Sequence, residues 1–227
     1  MASTRPGRAS RPGIFVALEG GEGAGKSTQI QLLAAWLADR GHDVVVTREP
    51  GATPAGERIR ALLLDPTTEL DEHAEALLYA ADRAEHAARV VRPALARGTV
   101  VLSDRYIDSS VAYQGYGRGL DPDVVSRISR WATGELVPDL TVLLDLPVAA
   151  ARQRLLARGG TDRLESEADA FHERVRSGFR RVAAADPARY AVVDGSAEVE
   201  QVAEQVRGAV EQLLPAQTRA GAAGLPR

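Results

Sequence analysis

Gly20-Gly21-Glu22-Gly23-Ala24-Gly25-Lys26-Ser27 matches G-x-x-x-x-G-K-[ST], the pattern of a loop that cradles phosphates. The apolar run Ile14-Phe15-Val16-Ala17-Leu18 precedes it and has the length of one buried strand. From Thr28 to Leu37 apolar residues recur at helical spacing. Strand, glycine turn and helix form the setting this motif requires. The first amide N–H groups of a helix have no partner inside it and carry the positive end of its dipole, so they attract an anion. Glycines let the backbone fold into a nest of such donors without Cβ clashes. Lys26 can then reach the β- and γ-phosphates of a nucleotide, and the Ser27 hydroxyl can ligate Mg²⁺. The stretch from Gly20 to Thr28 is the expected nucleotide-binding loop.

The chain has 227 residues, enough for one domain with small insertions. Its hydrophobic fraction of 44% permits a sizeable core. A net charge of −3 gives no global attraction to nucleic acid or an anionic membrane. Apolar runs are too short to span a bilayer. With no cysteine, disulfides and thiolate metal sites are excluded, which fits a cytoplasmic location. Residues 1–12 are basic, lack the apolar stretch of a signal peptide and read as a disordered tail. Residues 215–227, rich in Ala, Gly and Pro, read as a second disordered tail. The folded domain is expected over 13–214.

Four more apolar runs alternate with helical patterns: Val44–Val46, Thr99–Ser103, Leu140–Leu146 and Tyr190–Val193. Five such strands predict an α/β fold, a parallel sheet with helices on both faces. Ligands bind at the carboxyl ends of strands in such sheets. Arg48 and Glu49 sit at one such end, before the turn at Pro50-Gly51, and Asp104-Arg105-Tyr106 at another. Arg105 fits a phosphate, because its planar fork donates two parallel hydrogen bonds. Asp104 can hold Mg²⁺ through water; Asp145, closing the fourth strand, competes with it for that role. Asp71–Arg97 reads as a long helix broken at Pro93, with Tyr79 and Arg83 sharing a face. Further helices are expected over Pro54–Leu64, Pro122–Thr133 with Asp121 as N-cap, Pro147–Ala157, Glu165–Ala185 and Val199–Leu214. The Gly159-Gly160 pair, flanked by Arg158 and Arg163, reads as a hinged lid over about 158–165. Four scattered histidines show no metal-ligand spacing.

Taken together, these residues resemble the thymidylate kinase family of the bacterial kind. The carriers are Glu19 to Thr28, Thr47-Arg48-Glu49-Pro50-Gly51, Asp104-Arg105-Tyr106, Ala112-Tyr113-Gln114-Gly115, Pro138-Asp139-Leu140 and the arginine-bearing lid. The resemblance runs from about Gly13 to Leu214. It implies a P-loop NTPase fold of the nucleoside monophosphate kinase type and phosphoryl transfer from MgATP to dTMP. It implies that Lys26 and the loop hold ATP, that Ser27 and Asp104 hold Mg²⁺, and that Arg105 and Arg48 meet the acceptor phosphate. It places Tyr79 against thymine, Arg83, Ser110 and Gln114 as readers of the base, Tyr113 beside C2′ of the sugar, and Glu22 facing the monophosphate. A homodimer is implied as well. Positions 21–24 of the loop supply no cation, and the resemblance is to members whose lid supplies the catalytic arginine, which implies Arg158 or Arg163 here. Two departures stand out: Ala52 follows Arg-Glu-Pro-Gly where glycine is frequent, and Tyr79 stands where Phe is common.

No general base is needed for such a reaction, because a phosphomonoester is already largely dianionic near neutral pH, its second pKa being about 6. What it needs is alignment and neutralisation of charge. Two rivals remain at the level of sequence. Another nucleoside monophosphate or deoxynucleoside kinase is the nearer; the latter would need a base such as Glu22 or Glu49. A nucleotide-dependent switch is the other, and it leaves Tyr79, Arg83, Tyr113 and Gln114 without a role.

Overall fold

In the computed structural model, residues 13–159 and 163–214 are described; the side chain of Arg158 lies outside that description, as do both expected tails and the middle of the expected lid. Five parallel strands form one sheet in the order β2-β3-β1-β4-β5. They are β1 (Ile14–Glu19), β2 (Val44–Arg48), β3 (Val100–Asp104), β4 (Leu140–Asp145) and β5 (Tyr190–Asp194). The helices between them are α1 (Lys26–Asp39), α2 (Pro54–Leu64), α3 (Glu72–His86), α4 (Arg92–Ala96), α5 (Ile107–Ser110), α6 (Pro122–Thr133), α7 (Val148–Arg158), α8 (Asp169–Ala185) and α9 (Val199–Glu211). The architecture is that of a P-loop NTPase.

Alternation along the strands explains why helices cover both faces. In β1, Val16 and Leu18 join one core with Ile30, Leu33 and Leu37 of α1 and Val202, Val206 and Val210 of α9. Phe15 and Ala17 point the other way, into a core with Val91, Ala94, Ile107 and Val111. Leu143 of β4 meets Phe171, Val175 and Phe179 of α8 on that second side. Each fully buried large apolar side chain stabilises the fold by roughly 1.5–3 kcal/mol. The register sets the site: Leu18 lies opposite Asp104, and Arg48 opposite the same Asp104. Glu19, Arg48 and Asp104 therefore end at one edge. The strand order reverses between β1 and β3, and the crevice at such a reversal is where ligands enter.

The helix expected to break at Pro93 does not break there. A π turn over Ala87–Val91 joins α3 to α4, and the backbone stays helical at Val91 and Arg92. The wider turn lets Pro93 sit in the first turn of α4, where its missing N–H costs no intrahelical bond. The helix expected from Glu165 begins only at Asp169, because Arg163–Ser166 form a turn with the Ser166 hydroxyl on the Arg163 carbonyl at 2.8 Å. Asp121 caps α6 as expected, accepting from Asp123 N at 2.9 Å.

Candidate active site

The loop after β1 is held by close backbone approaches. At Gly20, φ is 139° and a Cβ would lie 2.5 Å from the Leu144 carbonyl; at Gly23, φ is 71° and a Cβ would lie 2.8 Å from the Ala151 carbonyl. Gly25 then starts α1, so Lys26 and Ser27 occupy its first turn. Lys26 is buried, with Nζ donating to the Gly20 and Gly21 carbonyls at 3.0 and 2.9 Å. Burial, with Arg105 adding to it, lowers its pKa against the opposing pull of Glu22. Ser27 Oγ donates to Asp104 Oδ2 at 3.0 Å. A hydroxyl and a carboxylate that close form a hard-oxygen pair of the kind Mg²⁺ takes, with its other positions open to phosphate and water.

Arg105 follows β3 in the left-handed region, at φ 71°, an unfavourable conformation for a residue with a side chain. Glu19 at the end of β1 fastens the turn beyond it. Its Oε1 accepts from Tyr106 N at 2.8 Å and Ser109 N at 3.1 Å, and its Oε2 from Ser109 Oγ at 2.6 Å. Burial, then Asp108, raises the Glu19 carboxyl to about 7. The Arg105 guanidinium reaches back to the loop. Nη1 donates to the Gly20 carbonyl at 3.1 Å and to Ser109 Oγ at 3.0 Å; Nη2 donates to Glu22 and, at 3.2 Å, to the Tyr113 hydroxyl. Although burial acts against its charge, Glu22, Tyr113 and Asp104 hold it well above its usual range.

Burial raises the Glu22 carboxyl, but Arg105 and then Lys26 outweigh it and bring the group from the usual 4.5 to about 2. The stabilisation from its charge is therefore complete above pH 4.5 and lost as the pH falls towards about 2. Thermal unfolding across that window is expected to show a smaller acid loss in Glu22→Gln than in the unmodified chain. Equal losses would remove Glu22 from the acid response.

A cleft of about 750 Å³ joins these groups to the base-reading residues expected from the sequence. Its walls include the loop from Glu22 to Thr28, then Asp104 and Arg105, and beyond them Arg48, Tyr79, Ser110, Tyr113 and Gln114. Arg48 is exposed there. Gly20 and Gly21 line a smaller cavity behind the loop, and reach the site through the carbonyls that hold Lys26.

Arg83 differs from expectation. It sits behind the cleft wall, 1% exposed, with four of its N–H donors on protein acceptors: Nε on Glu49 at 2.7 Å, Nη1 on Ser129 at 3.0 Å, and Nη2 on the Tyr106 carbonyl and Ser110 Oγ, both at 3.1 Å. Through Nη2 it holds Ser110, which lines the cleft. Arg163 differs too. Its Nε donates to the Leu63 carbonyl at 2.8 Å and its Nη2 to Glu75 at 2.6 Å, so its fork is turned to Glu75 and α2, not to the phosphate loop. Asp145 is engaged by Arg176 through both oxygens, at 2.7 and 3.1 Å, which leaves Asp104 as the carboxylate beside Ser27.

Several residues here were not singled out from the sequence. Arg154 of α7 lines the cleft and donates to the Gly195 carbonyl at 3.0 Å. His86 is fully buried between Glu49 Oε1 at 2.7 Å and Thr47 Oγ1 at 2.8 Å. Its signal was available: Tyr79, Arg83 and His86 are spaced to share one face of α3. Glu75, one turn ahead of Tyr79, belongs to the same series.

Comparison with known proteins agrees with this geometry. The family model described as thymidylate kinase matches residues 18–206. A thymidylate kinase of Clavibacter michiganensis subsp. michiganensis is 56% identical over 205 residues, covering 90% of this chain and 97% of its own. One of Leifsonia xyli subsp. xyli is 56% identical over 199 residues, covering 87% and 94%. One of Gloeobacter violaceus is 55% identical over 203 residues, covering 88% and 96%. With a phosphate loop, a paired hydroxyl and carboxylate, and an arginine between two ends of one cleft, the chain belongs to the thymidylate kinase family.

Proposed function

We propose that this chain transfers the γ-phosphoryl group of ATP to dTMP, giving dTDP and ADP. The observation that carries the reading is the single cleft, with Lys26 and Ser27 at one end, Tyr79, Ser110 and Gln114 at the other, and Arg105 between them. Lys26 and the loop amides bind the donor phosphates. Arg105, with Arg48 on the same wall, receives the acceptor phosphate. Tyr79 supplies the face for the base, and Tyr113 closes the sugar side. Ser27 and Asp104 are the residues to hold Mg²⁺, which when bound neutralises charge on the donor phosphates. Arg154 stands beside the loop as a cation for the donor side. Val124 and Trp131, exposed on one face of α6, support a homodimer contact there.

Two observations disfavour a deoxynucleoside kinase. Glu22 is paired with Arg105 and held ionised down to about pH 2, so it is a weak proton acceptor. Glu49 reaches the cleft wall, but its two oxygens are engaged by Arg83 and His86. A coupled ADP-release assay with dTMP, dUMP, CMP and thymidine tests the reading. The expected result is turnover with dTMP far above the others. Turnover with thymidine alone, or ADP release indifferent to every acceptor, would refute it.

A further inference from the structure

Glu75 is 1% exposed and lies behind the base end of the cleft. Its Oε1 accepts from Gln114 Nε2 at 2.8 Å and Arg118 Nε at 3.3 Å; its Oε2 accepts from Arg118 Nη2 at 3.2 Å and Arg163 Nη2 at 2.6 Å. Burial raises its carboxyl, but these donors outweigh burial and hold it below its usual range, so it stays ionised. An ionised carboxylate only accepts hydrogen bonds. The Gln114 carboxamide can therefore turn only its NH₂ side towards Glu75; the reverse sense would set two acceptors against each other. Gln114 is itself 1% exposed and forms part of the cleft wall with Tyr79 and Ser110. With one N–H committed to Glu75, its carbonyl oxygen and second N–H remain for a ligand. Ser110 adds to this: its oxygen accepts from Arg83, so the hydroxyl keeps its own hydrogen to give.

We propose that Glu75 is a positioning residue that sets pyrimidine specificity by locking the sense of the Gln114 amide. The inference rests on the dTMP reading above and deepens it. A fixed acceptor beside a donor complements a ring edge with N–H next to C=O, as in thymine and uracil. Cytosine presents the reverse, a bare ring nitrogen next to an amino group. To pair with it the amide must flip, and Glu75 forbids the flip. A site built around fixed polar groups rejects the mismatched analogue because those groups are left unpaired.

The test compares dTMP with 5-methyl-dCMP, which differs from it only at the ring N3 and the 4-position, and with dUMP, which lacks only the methyl group. In the unmodified enzyme dTMP is favoured over 5-methyl-dCMP. In Glu75→Gln, whose amide can face Gln114 either way, that preference in kcat/KM falls by at least about tenfold. The preference for dTMP over dUMP is unchanged, since it does not involve the amide. If both preferences hold, or both fall together, the proposal is overturned, the first showing no role and the second a general loosening. If the unmodified enzyme does not use dTMP, the functional reading fails instead. Should Glu75→Gln not fold, Gln114→Leu is measured; it loses the same preference, and keeping it would overturn the proposal equally.

Discussion

Arg105→Ala is expected to lower dTMP turnover by about 10²–10³ while ATP still binds. The magnitude is that of removing one preorganised donor from a site where charge develops. Arg105 is the group best placed to act so. Its guanidinium spans from the Gly20 carbonyl to the Tyr113 hydroxyl, and so bridges the phosphate loop and the Tyr113 wall of the cleft. Its backbone is held at φ 71° by a turn that Glu19 fastens, so the fork is aimed before any ligand arrives. Glu22 occupies part of that fork now, and an incoming phosphate dianion competes for the same Nη2. Arg105→Lys should recover little, because a single ammonium cannot address the loop, Ser109 and a phosphate together. Steady-state turnover and ATP titration, run in parallel, decide the point. Equal loss of turnover and ATP affinity, or full rescue by lysine, would take the acceptor role from Arg105.

The sequence makes the loop, the strands and the nucleotide end of the cleft readable because those features are local. Glycine spacing reports backbone geometry directly, and Gly20 and Gly23 do sit where a Cβ would strike a carbonyl. The base end is less readable, because there a residue's part depends on partners far along the chain. Arg83 and Glu49 are 34 positions apart, and Arg163 and Glu75 are 88 apart. No spacing rule says which carboxylate neutralises which buried arginine. So Arg83, a base reader by resemblance, is found one layer behind Ser110, and Arg163, a lid arginine by resemblance, is found on Glu75. The pairing of Asp145 is likewise illegible, since the Arg176 of α8 that engages it lies 31 positions along the chain. Arg154 shows the same limit within one helix: which arginine of α7 meets the loop depends on how α7 packs against Gly23.

Glu49→Ala is expected to destabilise the fold by about 3–5 kcal/mol, the range for breaking a buried ion pair and stranding its partner. That is a large share of the roughly 5–15 kcal/mol that holds a typical domain together. Glu49 is 4% exposed and takes Arg83 on one oxygen and His86 on the other, both at 2.7 Å. Removing it leaves the Arg83 charge, 1% exposed, with only neutral acceptors. Urea unfolding gives the stability directly. The more telling variant is Glu49→Leu with Arg83→Met. Replacing both charges by apolar groups removes the desolvation penalty, so part of the lost stability returns. It returns incompletely, because the Tyr106 carbonyl loses its donor and His86 keeps only Thr47. Activity should not follow stability upward. Without Arg83 no side chain among the described residues holds Ser110 Oγ, and the Arg48–Gly51 turn keeps only the Gly51 N–H on Asp82 Oδ1, at 2.9 Å, as a hydrogen bond to α3. The double variant should fold better than Glu49→Ala and yet keep a raised KM for dTMP with ATP binding intact. If KM recovers along with stability, the buried pair serves the fold alone and the placing of the base reader lies elsewhere.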